Sequence, residues 1–446
     1  MTILLTNAWL LTIDPAMTEH RSGWLQIDGT TITAIGSGTP PTIAGAEIVD
    51  CGGDIVMPGM VNTHSHMAMS VFRGLAEDID DRLYRYILPL ERKFVTPAMV
   101  RAGSALAALE MIQGGVTTAA DMYYFEAEVG RVVAKAGLRA VVGQTLADFN
   151  APDHKTFDEG FALAEQLVDE FAGHPMVTPS IAPHAPYSTG LKMMSRIARW
   201  SDDRPGVVVQ IHLAESDTEV QWARDTHGES SVEVVRQSGL LKPGLVGAHC
   251  LHLSDADIAL MAEADVRVAT NPRSNGKGGR GIARVEALRA TGIPVGIGSD
   301  GPMSGNTLDL FSQLAPLSMF AKLRGKSRLP LPAAAVIRMA TIDGAKVLGL
   351  DHKIGSLEPG KQADLIRISL AAPRLHPIYE AYSALVFAAL PSDVTDVMVA
   401  GNWLLRDRQP LTLDPKKTLR DALQIAAQFK AEMRLIDQAP AAPAHE

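Results

Sequence analysis

Cysteine is scarce: Cys51 and Cys250 are the only two in 446 residues, too few for a disulfide framework. Both lie in apolar stretches, where a reduced and buried thiol is the expected state. A dense run of lysine and arginine is also missing, and the formal net charge is −9, so the electrostatic footprint of a nucleic-acid polymer binder is absent. A free base or nucleoside is not excluded by that. No apolar run reaches transmembrane length. The apolar start Thr2-Ile3-Leu4-Leu5 has no basic residue before it and Asp14-Pro15 soon after, so no signal peptide and a cytoplasmic location are expected. There is no internal repeat, and the one low-complexity segment is the Ala-Pro-rich end, expected to fray.

What is present is ordinary for a globular α/β enzyme: 46% hydrophobic residues, 20% charged residues and 38 glycines. The length allows a barrel of about 250 residues with a smaller module beside it. Residues 1–56 alternate short β-prone runs with turns, as in Trp24-Leu25-Gln26-Ile27-Asp28-Gly29, whose Asp-Gly is a hairpin signal. The same texture returns from residue 356, in Leu365-Ile366-Arg367-Ile368 and Val397-Met398-Val399. Between them, over 57–355, apolar strands alternate with helix-period segments, the pattern of βαβ units. The expected fold is therefore a (β/α)8 TIM-type barrel inserted into a small β-sandwich built from both chain ends. An amphipathic helix over Leu419–Leu435 is expected to pack on the surface.

The chain is organised around Val61-Asn62-Thr63-His64-Ser65-His66. In an extended strand alternate residues share a face, so His64 and His66 form a chelating pair. The apolar run Ile55–Val61, interrupted by Pro58-Gly59, reads as a buried strand entered through a turn, with the histidines at its C-terminal end. Further polar residues close later strands: His184 after the fourth, His212 and Glu215 at the fifth, His249 at the sixth, Asp300 at the eighth. A barrel brings these ends together at the face where its chemistry sits. His64, His66, His212 and Asp300 are the expected ligands of one divalent cation, an open set that leaves room for water. Glu215 is placed to move a proton without ligating, and Asp300, next to His249, to take one from water.

Taken together, Pro58-Gly59-Met60-Val61-Asn62-Thr63-His64-Ser65-His66, Ala182-Pro183-His184-Ala185-Pro186-Tyr187-Ser188, His212-Leu213-Ala214-Glu215, Ala248-His249-Cys250 and Gly298-Ser299-Asp300-Gly301 resemble the amidohydrolase superfamily. The resemblance is to its branch of S-adenosylhomocysteine and methylthioadenosine deaminases, guanine and cytosine deaminases and triazine hydrolases. It implies zinc, or iron, on the four ligands, Glu215 as the proton shuttle to a ring nitrogen and His249 as the residue that orients water. It also implies self-association as a dimer or tetramer. Two-metal members carry a bridging lysine on strand four, and Met176–Ala182 has none, so a single ion is implied. The reaction expected is hydrolytic deamination of an aminated purine, pyrimidine or pterin, with release of chloride from a triazine or hydrolysis of an amide as the alternative.

For the substrate pocket, the segment Arg73–Glu91 resembles the capping loop of the adenosine-type enzymes and supplies Glu77 and Tyr84 as candidates. The family's tryptophan is replaced by Tyr84, and Tyr86 follows; helix packing and stacking on a planar ring are equally open for both. His184, Asn275 and Arg280 complete the candidate set. Asn271–Lys277 keeps the family frame Asn-Pro-x-Ser-Asn-x-Lys, but Arg273, Arg280, Arg284 and extra glycines depart from it. These arginines are open to two readings, an anion on the substrate or solvated surface and subunit contact.

Overall fold

The computed structural model describes every residue except Asp80, Pro205 and 439–446, so the Ala-Pro-rich end lies outside the described residues. The N-terminal strands are β1 (Thr2–Leu11), β2 (Glu19–Asp28), β3 (Thr31–Ser37), β4 (Glu47–Asp50) and β5 (Ile55–Pro58). β2 and β3 form the expected hairpin, with Asp28 paired to Thr31 and Gly29 in the left-handed region at φ 61°. Eight further strands follow: β6 (Met60–Ser65), β7 (Val116–Tyr123), β8 (Arg139–Leu146), β9 (Val177–Pro183), β10 (Val208–Leu213), β11 (Leu245–His249), β12 (Arg267–Thr270) and β13 (Val295–Ile297). All pair in parallel and close in the order β10-β11-β12-β13-β6-β7-β8-β9.

The chain ends with β14 (Leu365–Ile368), β15 (Val394–Val399), β16 (Asn402–Arg406), β17 (Gln409–Pro410) and a helix over Pro415–Gln438. These strands join the N-terminal ones in a nine-stranded mixed sheet ordered β17-β16-β15-β14-β5-β1-β2-β3, with β4 on β1. The period of two divides its side chains between two cores. Val56, Leu365 and Met398 enter a small core with Leu5, Leu10 and Leu25. Their neighbours Ile55, Met57, Ile366, Val397 and Val399 enter the main core.

The run Ile55–Val61 is two strands rather than one: β5 belongs to the sheet, β6 to the barrel, and Gly59 is the joint. A Cβ at Gly59 would stand 2.1 Å from the Thr117 side chain, so no larger residue fits at this crossing. The fourth barrel strand, expected over Met176–Ala182, is β9 at Val177–Pro183, one residue later at each end. Among the described residues no single helix is long and apolar enough to cross a membrane.

Candidate active site

β6 carries His64, and His66 directly after it, to the C-terminal mouth of the barrel, β10 carries His212, and β11 ends on His249. Asp300 lies three residues past β13, where the backbone turns back: the Ser299 and Asp300 amides both donate to the His64 carbonyl, at 3.1 and 3.0 Å. That turn requires Gly298, because a Cβ there would sit 2.2 Å from Asn271 Oδ1 and 2.9 Å from His64 Cβ. Ala214, His249, Cys250 and Asp300 all have positive φ, between 50° and 69°. Left-handed backbone at non-glycine residues costs on the order of 1–3 kcal/mol each and persists where the surroundings enforce it. Here four such residues surround one point.

The four expected ligands converge. Asp300 Oδ1 is 3.3 Å from His66 Nε2 and 3.8 Å from His64 Nε2. His212 Nε2 is 3.3 Å from His66 Nε2. His66 Nδ1 meets the Met122 carbonyl at 2.6 Å, and His212 Nδ1 meets the His184 carbonyl at 2.7 Å. A carbonyl only accepts, so both Nδ1 atoms carry the hydrogen, and with the rings neutral both Nε2 lone pairs would be left for an ion. His64 Nε2 is buried with no hydrogen-bond partner. Two such lone pairs, an orphaned imidazole nitrogen and a buried carboxylate are the donor set of a divalent cation, and these residues fit one.

The electrostatics agree with that donor set. Burial, and then the neighbouring His184, pulls His212 down to about 3, and burial holds His64 well below the usual imidazole range. Burial would raise Asp300, but the His66 hydrogen bond and the surrounding histidines hold it well below the carboxylate range. Burial would lower His66, but Asp300 draws it up to about 9, as an imidazole facing an unneutralised carboxylate behaves; a divalent ion bound there would take that proton's place. Ser274 Oγ donates to Asp300 Oδ2 at 2.5 Å, and the Gly301 amide to Oδ1 at 2.7 Å.

Glu215 and His249 stand beside this set. His249 Nε2 is 3.7 Å from Glu215 Oε1, and its Nδ1 lies 2.8 Å from Asn275 Oδ1. Asn275 is therefore placed behind His249, fixing its ring. Burial would raise Glu215, yet the charges of His249 and then Arg280 hold it down to about 2. Its backbone amide and that of Ala214 donate to Glu219, at 3.0 and 2.8 Å, which fixes the turn that aims it.

The remaining candidates differ in where they lie. The His184 ring is 5.0 Å from that of His212, with its Nδ1 2.6 Å from Ser188 Oγ. The Arg280 guanidinium lies on the Glu215 carboxylate. Glu77 is engaged by Lys277 Nζ at 2.5 Å and by Arg82 at 3.5 Å. Tyr84 is 73% exposed, whereas the Tyr86 hydroxyl donates to Asp437 Oδ1 at 2.5 Å on the C-terminal helix. Arg284 is held by Asp255 and by the Leu253 carbonyl.

Sequence reasoning did not single out Ser274, although it stands in the Asn-Pro-x-Ser-Asn frame, nor the aromatic pair around His184. Phe149 and Tyr187 flank that imidazole edge-on, each with its ring centre 6.1 Å away. Tyr187 follows His184 by three residues and was within reach of motif reasoning; Phe149 comes from the loop after β8 and carried no signal. A second unheralded group is the buried pair of Tyr123 and Glu91, joined at 2.5 Å, with the Tyr123 ring 6.3 Å from His66. Burial pushes Glu91 up to about 7.

Comparison with known proteins places this geometry. Residues 55–404 match the family model described as amidohydrolase family. The chain is 36% identical over 435 residues to a 5-methylthioadenosine/S-adenosylhomocysteine deaminase of Syntrophus aciditrophicus, covering 97% of this chain and 98% of that one. It is 34% identical to a 5′-deoxyadenosine deaminase of Methanosarcina mazei, with 97% and 99% covered. A solved adenosine deaminase of Xanthomonas campestris with bound zinc superposes with a TM-score of 0.92 at 31% identity, over 96% of this chain and 98% of that one. Family model, full-length relatives and the closed barrel with its imidazole cluster agree: the chain belongs to the amidohydrolase family.

Proposed function

We propose that this chain is a metal-dependent hydrolytic deaminase of an aminated purine-type heterocycle, releasing ammonia. The observation that carries the reading is the convergence of His64, His66, His212 and Asp300 with Glu215 and His249 on the same side. The names of the two full-length relatives above, both deaminases of adenosine derivatives, support the substrate class.

The two groups of donor atoms close enough to share an ion both contain His64, which supports a single ion. Imidazole and carboxylate donors suit zinc, the ion in the Xanthomonas structure, and we assign zinc rather than iron here. Bound there, a divalent ion supplies Lewis acidity and brings the pKa of water toward neutrality. The residues of the chain do the rest. His249 would orient the attacking water, and Asp300 would hold its second proton until the amino group takes it. Glu215, held ionised in the free protein, takes the water's first proton and delivers it to the ring nitrogen beside the amino-bearing carbon; the second proton then goes to the amino group, which leaves as ammonia as the carbon–nitrogen bond breaks. His184, Phe149 and Tyr187 form an aromatic wall for a planar ring.

The test is ammonia release by zinc-loaded protein from adenosine, 5′-substituted adenosines, guanine and pterins, with chloride release from a chlorotriazine as the competing readout. Glu215→Gln is expected to lower turnover by roughly 10²–10⁴-fold while ligand binding persists. Chloride release without ammonia release would replace the reading with the triazine alternative.

A further inference from the structure

What the substrate carries besides its ring can be read from the loop after β12; this inference rests on the deaminase reading above. From the short helix Pro272–Lys277 the chain runs through Gly278, Gly279, Arg280 and Gly281, with φ of 64° at Gly279 and 116° at Gly281. A Cβ at either position would meet nothing within 4 Å, so these glycines serve backbone conformation rather than close packing. The Arg280 amide is held by the Asn275 carbonyl at 3.0 Å, and its side chain is placed by an ionic partner.

That partner is Glu215. Three residues earlier Lys277 reaches Glu77 Oε2 and Asn306 Oδ1, each at 2.5 Å, and Arg82 stands 3.5 Å from the same Glu77. In these ion pairs three cations meet two carboxylates, so this group taken by itself carries one surplus positive charge. The Arg280 contact also occupies Glu215 Oε1, the oxygen that faces His249. A ring that takes that oxygen as its partner competes with the guanidinium for it. Arg280 is 35% exposed and Glu215 22%, so the displaced cation lies on the solvent side, over the outward end of whatever the barrel holds. A planar guanidinium without a carboxylate is matched best by another planar or tetrahedral anion. We propose that Arg280 is a specificity-determining residue that exchanges Glu215 for a carboxylate or phosphate on the outer end of the substrate. The preferred substrate is thus an aminated heterocycle with an anionic tail. Arg284 is not part of this device, because Asp255 and the Leu253 carbonyl hold it elsewhere.

Binding of deaminated products separates this from the reaction itself. Zinc-loaded protein is titrated calorimetrically with inosine, inosine 5′-monophosphate and S-inosylhomocysteine, so that phosphate and carboxylate are compared with the neutral parent. At least one anionic ligand is expected to bind roughly tenfold or more tightly than inosine, with a preference that shrinks as salt is added. Arg280→Gln is expected to reduce that preference below about threefold, and Arg284→Gln to leave it intact. Should Arg280→Gln fail to fold, Arg280→Lys, which keeps the charge and loses the fork, is expected to cut the preference at least roughly threefold. The proposal is overturned if the three ligands bind wild-type protein equally, if none binds, or if the preference survives the loss of Arg280. An intact preference without ammonia release from any substrate sinks the reaction and leaves this inference standing; ammonia release without a preference does the reverse.

Discussion

Ser274 does for Asp300 what backbone carbonyls do for His66 and His212: it fixes a proposed ligand from behind. Its hydroxyl holds Oδ2, leaving Oδ1 toward the histidines. Groups that orient metal ligands typically contribute 10–100-fold in metal affinity. Ser274→Ala is therefore expected to weaken zinc binding by about 10–100-fold, measured against a chromophoric chelator; unchanged affinity would show that Gly301 alone suffices. Glu91 offers a second residue-scale consequence. Burial raises its pKa from 4.5 to about 7, so in that window the folded chain holds a proton that the unfolded chain has released. Protons bound in the native state exceed those in the unfolded state, and stability falls as pH rises from about 4.5 to 7, then levels. A glutamine at 91 cannot titrate but keeps an acceptor for the Tyr123 hydroxyl. Glu91→Gln is expected to flatten part of this decline and to stabilise the protein at pH 8 by up to on the order of 3 kcal/mol. Urea midpoints at pH 5 and pH 8 measure it; Glu219, also raised by burial to about 7, leaves the remainder of the slope in place.

Among the elements, the C-terminal helix Pro415–Gln438 is the one whose role is read from its contacts. Phe429 is buried with its ring 4.6 Å from Phe72 and 5.4 Å from Phe94. Lys93 pairs with Glu432 at 2.5 Å, and Tyr86 and Arg85 both reach Asp437. The helix thus fastens both ends of the segment 72–94, which carries Glu77 and Tyr84. Replacing a buried phenylalanine by alanine costs about 3–5 kcal/mol. Phe429→Ala is expected to lower the urea midpoint accordingly and to speed amide exchange over 72–94 more than over β6; uniform exchange would mean that the helix holds nothing in particular. Its amphipathic period was legible in the sequence, but period identifies a face and not the surface it covers. The barrel strands were legible because each is an apolar run between helical segments. Ile55–Val61 misled, since two fully buried strands joined at one glycine look like one. The destinations of Lys277 and Arg280 were not legible at all: loop side chains are placed by partners that only the closed barrel brings near.

At the scale of the whole molecule, the return of β texture after residue 356 announced that the chain ends belong together, but not what locks that sheet to the barrel. The lock is ionic and buried. Arg139, at the start of β8, donates to Asp364 Oδ2 at 3.0 Å and to Gln362 Oε1 at 2.5 Å, and Asp364 Oδ1 accepts from the Ala400 amide at 2.7 Å. The two side chains are 3% and 2% exposed. One residue from the barrel, one from the strand β14 segment and one from the β15 turn are thereby tied in a place without water. Such a pair adds little net stability over an apolar replacement, but removing one partner strands a charge, at a cost of about 3–5 kcal/mol. Asp364→Ala is expected to lower stability by that amount. Arg139→Met in the same background is expected to recover part of it, because the uncompensated guanidinium is then gone. Urea denaturation of wild type, both single variants and the double variant forms the cycle. Equal losses in the single and double variants would mean that the hydrogen bond from the Ala400 amide, which lies within the sheet, and not the ion pair to the barrel, accounts for the loss.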